Sequence, residues 1–299
     1  MRILNFGSCN LDYVYSLDHI VAPGETESSY GMEIFPGGKG LNQSIAAAKA
    51  GVEVYHAGCV GEDGKLLLDI LQESGVNTQY LQRVPGKNGH AIIQVTKDGE
   101  NSIVLYTGSN GKITEELIDH VLENFVTGDI LLLQNEINLV PLIAEKAYKK
   151  GMFTVLNPSP YNKNIEKVDL THISCLILNE VEGKGFSKED DPKKMLAFFR
   201  EYYPDLKVML TLGKKGCIYA DESAQIPCKA FAVQAVDTTA AGDTFTGYFA
   251  AGLANQLPME KILQMASAAS AVSVTRNGAA PSVPYMAEVL AFLKDREGQ

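Results

Sequence analysis

Asp243 ends a run of small residues, Asp237-Thr238-Thr239-Ala240-Ala241-Gly242-Asp243-Thr244-Phe245. The run follows an extended, β-branched stretch (Phe231, Val233, Val236) and leads into a small-residue segment of helical character, Gly247 to Ala254. At a helix start the first N–H groups lack intrahelical partners, and the dipole favours anions. Ala240, Ala241 and Gly242 are small enough for their N–H groups to approach a ligand closely. A carboxylate beside an anion site needs a reason. A base that takes a proton from a hydroxyl while that hydroxyl attacks a phosphate supplies one. The plainer alternative is a strand–turn–helix with Asp243 as a capping residue.

The elements that must position this run alternate strand and helix over most of the chain. Residues 2–8 read as a buried strand ending in Gly7-Ser8, with Asn10 and Asp12 beyond it, at the end of a strand where open α/β sheets bind ligands. An Asx turn would account for the same two residues. Pro36-Gly37-Gly38-Lys39-Gly40-Leu41-Asn42-Gln43 opens a helix that runs through Ala50 and stops at Gly51. Lys39 is followed by Gly40, so this is not a phosphate-binding P-loop, and a surface lysine remains an alternative. Val54 to Val60, a turn, and Lys65 to Ser74 form a strand–helix unit, with Gly58, Gly61 and Gly64 read as turn glycines. Ile130-Leu131-Leu132-Leu133 is a central strand, with Gln134, Asn135 and Glu136 at its edge. Glu136 can equally be a solvated residue before a helix. Further strands are expected at Phe153 to Leu156, Leu176 to Leu178 and Val208 to Leu212, and a helical stretch at Met259 to Arg276.

Two blocks break the alternation. Residues 13–35, and 90–106 with the turn Lys97-Asp98-Gly99-Glu100, alternate polar and apolar residues with no helix between. The Asp98-Gly99 pair predicts a hairpin. Both blocks are assigned to one small sheet beside a single α/β domain over residues 1–299, its strands inserted at about 12–35 and 90–107.

The nonapeptide resembles the C-terminal signature of the ribokinase family of sugar kinases, also called the phosphofructokinase B family, many of whose members read D-T-T-G-A-G-D-T-F. Ala240 stands where that form has Gly, and its N–H can still face a phosphate. The Gly37-Gly38-Lys39-Gly40-x-Asn42 phrase resembles the family's N-terminal signature, and the likeness extends over essentially the whole chain. The resemblance implies an α/β fold with a mostly parallel sheet flanked by helices and a small β lid, which serves in the family as a dimer surface. It implies an ATP-dependent kinase acting on the primary hydroxyl of a sugar, with Asp243 as base and the N–H groups of Ala240, Ala241 and Gly242 stabilising the transferring phosphoryl. It places Asn10, Asp12, Gly38, Lys39, Asn42, Glu136 and Asp243 around the sugar. Asn179 and Glu182, from an N-x-x-E phrase, fall at the nucleotide and the water shell of Mg²⁺. Thr211, Gly213 and Gly216, from T-L-G-x-x-G, fall near ATP, as does Gly242. Asp237, Thr239, Ser273, Arg276, Gly278 and Ser282 are the positions around a monovalent cation, K⁺, held through backbone oxygens. Within the family the acceptor is read as D-ribose, the three residues Asn10, Asp12 and Asn42 suiting a polyhydroxyl sugar. Deoxyribose, a nucleoside, or a non-catalytic sugar-binding regulator are the alternatives.

The whole chain bounds the rest. Its 299 residues are 45% hydrophobic, enough for a sizeable core. The formal net charge of −10 argues against nucleic acid or an anionic membrane as partner. Cys9, Cys59, Cys175, Cys217 and Cys228 form no C-x-x-C pair, which suggests neither a zinc site nor a disulfide framework and fits a reducing cytoplasm. No secretory h-region and no apolar run of membrane length is read.

Overall fold

The computed structural model describes residues 1–297. In chain order the elements are β1 (Ile3–Phe6), β2 (Asn10–Leu17), β3 (Gly31–Gly37), α1 (Lys39–Lys49), β4 (Val54–Val60), α2 (Lys65–Glu73), β5 (Asn77–Arg83), β6 (Gly89–Thr96) and β7 (Asn101–Tyr106). There follow α3 (Glu115–Leu122), β8 (Ile130–Gln134), α4 (Val140–Lys149), β9 (Phe153–Asn157), β10 (Cys175–Asn179), α5 (Glu180–Ser187) and α6 (Pro192–Tyr202). The chain then passes through β11 (Lys207–Thr211), β12 (Cys217–Ala220), β13 (Gln225–Cys228), α7 (Ala241–Ala254), α8 (Met259–Ser273) and α9 (Met286–Glu297).

Nine strands form the main sheet, in the order β13-β12-β11-β10-β9-β8-β1-β4-β5. From β11 to β5 every pairing is parallel, and β12 and β13 add an antiparallel edge. A parallel sheet is covered on both faces, so its strands read as unbroken apolar runs. β8 illustrates this. Ile130 and Leu132 enter one core with Leu41 and Ile45 of α1, Tyr248 and Phe249 of α7 and Ile262 of α8. Leu131 and Leu133 enter the other with Ile118 of α3, Ile143 of α4 and Phe199 of α6. The fold is thus α/β, a mostly parallel sheet with helices on both faces.

The second sheet has four strands in the order β3-β2-β6-β7, with β2 and β6 parallel and the other pairs antiparallel. The β6–β7 hairpin turns at Gly99, whose φ of 82° and N–H bond to the Thr96 carbonyl close it.

Several expectations need correction. Gly58 lies inside β4, where a Cβ would stand 2.7 Å from the Gly7 carbonyl oxygen; it is a close-approach glycine, not a turn glycine. β5 is an added edge strand of polar alternation. The Phe231–Val236 stretch makes no strand: Phe231 packs edge-on against Phe292, and the Val236 N–H bonds Val274 O. α8 stops at Ser273, short of Arg276, as the Val274 carbonyl accepts from Val236 and Asp237.

Candidate active site

The start of α7 is built on Ala240, which caps the helix in the left-handed conformation (φ 58°, ψ 12°). Without glycine that conformation is strained, by about 1 kcal/mol, and such strain gathers at functional turns. Ala241 N closes a long turn bond to Thr238 O at 3.3 Å. Among the described residues the N–H groups of Ala240 and Gly242 have no partner. A Cβ added at Gly242 would meet no atom within 4 Å, so the helix start opens on space. The expected anion cradle therefore rests chiefly on two of its three N–H groups.

Asp243 is buried in the first turn, 7% exposed. Asn42 Nδ2 donates to its Oδ2 at 3.2 Å, and Gln43 Nε2 donates to its Oδ1 at 2.9 Å. Consecutive residues of α1 reach one carboxylate because α1 and α7 cross closely. A Cβ at Gly247, one turn beyond Asp243, would lie 2.4 Å from Ala46 Cβ and 2.7 Å from Gln43 O. The Oδ1 of Asn42 is buried with no protein partner, an acceptor left for a donor such as a hydroxyl. Asp243 is thus held by α1 rather than capping its own helix.

On the other side of α1 three elements converge. Asn10 and Asp12 lie within β2, in the small sheet, and not at the end of β1, where the sequence suggested them. Asn10 pairs with Gly37 and Gly89 in register, and its Oδ1 accepts from Asn110 Nδ2 at 2.6 Å. That bond turns the Asn10 amino group away from Asn110. The Asp12 carboxylate sits where a Gly37 side chain would be, 2.0 Å from the added Cβ, so the first glycine of the signature makes room for an acid. Burial pushes the Asp12 carboxyl up to about 7, and the Glu136 charge adds to this. Gly38 caps α1 with a φ of 94°, and Gly40 packs on the backbone of Gly7 and Ser8. Glu136 accepts from Lys39 N at 2.9 Å and from Ser8 Oγ. It is therefore fixed at the α1 start, not solvated. Burial raises its carboxyl, with Lys39 opposing. Lys39 is half-buried among acids. Asp243 above all, then Glu136 and Glu182, hold its ammonium above the ordinary range against burial. Its half-buried place distinguishes it from a fully exposed surface lysine.

Asn179 and Glu182 form a capping box at the start of α5. Asn179 Oδ1 accepts from Glu182 N, and the Glu182 carboxylate accepts from Asn179 N and Nδ2, all at 3.0–3.1 Å. Glu182 is buried, 4% exposed, and rigid. Thr211 donates to Leu178 O at 3.3 Å, joining β11 to β10. Gly213 (φ 55°) borders open space, but a Cβ on Gly216 (φ 101°) would stand 2.0 Å from Cys228 O. Gly216 is explained by the close approach of β13, paired antiparallel with β12.

The segments 236–240 and 274–282 are tied together by Asp237. Its Oδ1 accepts from Thr239 N at 2.8 Å and its Oδ2 from Gly278 N at 2.9 Å. Ser273 and Ser282 are buried, and their hydroxyls donate to Ser270 O and Ala279 O, leaving oxygen lone pairs. Hard, neutral oxygens with one carboxylate suit an alkali cation. The Arg276 guanidinium pairs with Glu288 at 2.6 Å, so only its backbone oxygen is left to face an ion.

Residues 2–286 match the model of the pfkB family carbohydrate kinases. The chain belongs to that family. It is 37% identical to ribokinase of Haemophilus influenzae over 298 residues, spanning 96% of this chain and 97% of that one. It is 34% identical to ribokinase of Bacillus subtilis, spanning 98% and 99%. The solved structure of Arabidopsis thaliana ribokinase complexed with ribose and ATP superposes with a TM-score of 0.87 at 30% identity, covering 98% of both chains. The fold with its separate small sheet is that of these carbohydrate kinases.

Within this pfkB-family frame, sequence reasoning missed Gln43, Asn110 and Ser8. Gln43 stands in the signature beside Asn42, and nothing local marks it for a role. Asn110 stands in a Gly108-Ser109-Asn110-Gly111 string that no motif marks. Its burial among Cys9, Gly89 and Asn10 is visible only in the fold.

Proposed function

We infer that this chain is an ATP-dependent kinase that transfers the γ-phosphoryl group of ATP to the primary 5-hydroxyl of D-ribose, giving D-ribose 5-phosphate and ADP. The observation that carries the reading is Asp243. A buried carboxylate, fixed by two amides, stands in the first turn of a helix whose leading N–H groups are unpaired.

Asp243 takes the proton of the 5-hydroxyl as its oxygen attacks phosphorus. The N–H groups of Ala240 and Gly242, with Ala241 once its turn bond yields, bind the equatorial oxygens as charge builds there. Lys39 lies among Asp243, Glu136 and Glu182 and offsets part of the added negative charge. Asn10 offers a donor, Asp12 and the Asn42 Oδ1 offer acceptors, and Gly38 and Glu136 complete the wall around the ring. The small sheet acts as a lid that excludes water from the phosphoryl group. ATP lies along Asn179, Thr211, Gly213 and Gly242. Mg²⁺ would offset the charge of the phosphates, and Glu182 is the fixed carboxylate that would orient its water shell. Asp237, Thr239, Ser273, Gly278 and Ser282 would hold K⁺, whose charge would support the adjoining anion loop. Sugar and ATP are the small-molecule partners, with neither nucleic acid nor membrane, and the exposed apolar face of the small sheet supports a homodimer. The absence of a membrane-crossing helix among the described residues, and five free thiols, support a cytoplasmic enzyme.

ADP release over a panel of pentoses, hexoses and nucleosides tests the reading. D-ribose is expected to exceed 2-deoxyribose by at least about tenfold in kcat/KM, since a missing hydroxyl leaves a buried acceptor short of a donor. Equal use of 2-deoxyribose, or turnover only with a nucleoside, would overturn the choice of sugar.

A further inference from the structure

Behind Asp243 runs a line of buried primary amides that no part of the phosphoryl transfer described above uses. Gln43 is fully buried on α1 and donates through Nε2 to Asp243 Oδ1 at 2.9 Å and to Asn157 Oδ1 at 3.3 Å. Its Oε1 accepts from Gln134 Nε2 at 2.8 Å. Gln134, at the end of β8, also donates to Asn5 Oδ1 at 3.0 Å. Asn5, on β1, donates in turn to Gly40 O and Ser44 Oγ, both at 2.8 Å.

Each link fixes the orientation of the next. The Gly40 carbonyl only accepts, so the Asn5 amino group must face α1 and its Oδ1 must face Gln134. Gln134 therefore presents its amino group to Gln43, and Gln43 its own amino group to the carboxylate. A carboxylate ionised for proton abstraction accepts only, and the line delivers a donor to it. All the amides sit away from water, where a flipped member would leave groups unpaired at a cost of about 1–3 kcal/mol each. The two Asp243 oxygens thus differ. Oδ1 is bound by Gln43. Oδ2 has only the longer bond from Asn42, whose own acceptor is unpartnered.

We propose that Gln43 is the positioning residue of the base: it binds Asp243 Oδ1 and, oriented by Gln134 and Asn5, leaves Oδ2 to receive the proton of the acceptor hydroxyl. The proposal rests on the reading of Asp243 as the base. Gln43 touches neither sugar nor nucleotide in this scheme, so its loss acts on turnover and not on binding.

The test is a double-mutant cycle on the full chain with D-ribose and MgATP. Gln43→Leu is expected to lower kcat by about 10- to 100-fold, the scale of a small misplacement of a reacting group, with KM for both substrates within about threefold. In an Asp243→Asn background the same change should cost nothing further, because the group it positions is gone. Gln43→Asn, one methylene shorter and still an amide, should also lower kcat, and it keeps the test decisive if the leucine variant fails to fold. Wild-type kcat in either folded variant, or losses that multiply with that of Asp243→Asn, would overturn the proposal. A crippled Asp243→Asn beside a normal Gln43→Leu overturns it alone. Near-normal turnover of Asp243→Asn overturns the base assignment and this proposal together.

Discussion

Asp12 is a residue whose ionisation the site has altered. Its carboxyl lies at about 7, raised by burial and by the charge of Glu136. A folded-state value above that of the unfolded chain means that the native protein keeps the proton over the window from the ordinary carboxylate range to about 7. Its contribution to stability is therefore full at acid pH and is lost as pH rises through about 7. Sugar binding should follow the opposite course, since only the ionised carboxylate accepts two hydroxyl hydrogen bonds. KM for D-ribose is expected to fall as pH rises through about 7, and Asp12→Asn should flatten that dependence while raising KM. Steady-state kinetics over this range, with ATP saturating, checks both. A wild-type KM that does not change with pH would remove Asp12 from sugar recognition. The glycine next to it explains why the acid is tolerated: Gly37 leaves the space the carboxylate fills.

Among the elements, the crossing of α1 on α7 matters most, because it brings Asn42 and Gln43 to Asp243. Gly247 sets its closeness. Gly247→Ala places a Cβ 2.4 Å from Ala46 Cβ, and such overpacking costs about 1–3 kcal/mol. We expect a lower denaturation midpoint together with a fall in kcat, as the helices part and the amides lose the carboxylate. Stability unchanged by the substitution would show that the crossing has slack. The loops beyond α8 supply another prediction. If Asp237 and its neighbours hold K⁺, replacing K⁺ by Na⁺, Li⁺ or a bulky organic cation at fixed ionic strength should lower activity. Indifference to the cation would end that assignment and leave the kinase reading intact. Much of this arrangement was legible in the sequence. The apolar run Ile130–Leu133, the two glycine-rich helix starts and the Asp98-Gly99 turn each carry a local signal that the fold obeys. β5 was not legible, because Asn77-Thr78-Gln79-Tyr80-Leu81-Gln82-Arg83 is an edge strand with little apolar content. The stretch before Asp237 misled for the opposite reason: Phe231 packs against Phe292 and the Val236 N–H bonds the Val274 carbonyl, so neither takes its partner from a neighbouring strand. The roles of Gln43, Gln134 and Asn110 depend on contacts between residues about 90 or more apart in the chain, which no local pattern encodes.

At the scale of the whole molecule, the small sheet has two unlike faces. Register places Ile34, Tyr13, Ile92 and Val104 in one row across its four strands. Side chains alternate along a strand, so Asp12 points to the opposite face from that row. Ile34, Ile92 and Val104 are 44%, 43% and 63% exposed, and Met32 and Tyr106 extend the same face with about half their surface exposed. An apolar face this continuous on a four-stranded sheet with two bare edges invites a partner, and a second copy of the chain is the partner we propose for it. The chain is expected to sediment as a dimer. Ile92→Asp with Val104→Asp should give monomers of unchanged fold, since both side chains are already exposed in the single chain. The same strands carry Asn10 and Asp12, and β2 lies between β3 and β6. Loss of the partner should therefore loosen the sheet and raise KM for the sugar more than KM for ATP, whose proposed ligands lie on the main sheet. Sedimentation velocity with steady-state kinetics on the same variants separates the outcomes. A monomeric wild type would exclude the dimer, and a dimer that survives both charges would place the interface elsewhere. Monomers with an unchanged KM for the sugar would show that the sheet holds its shape without a partner.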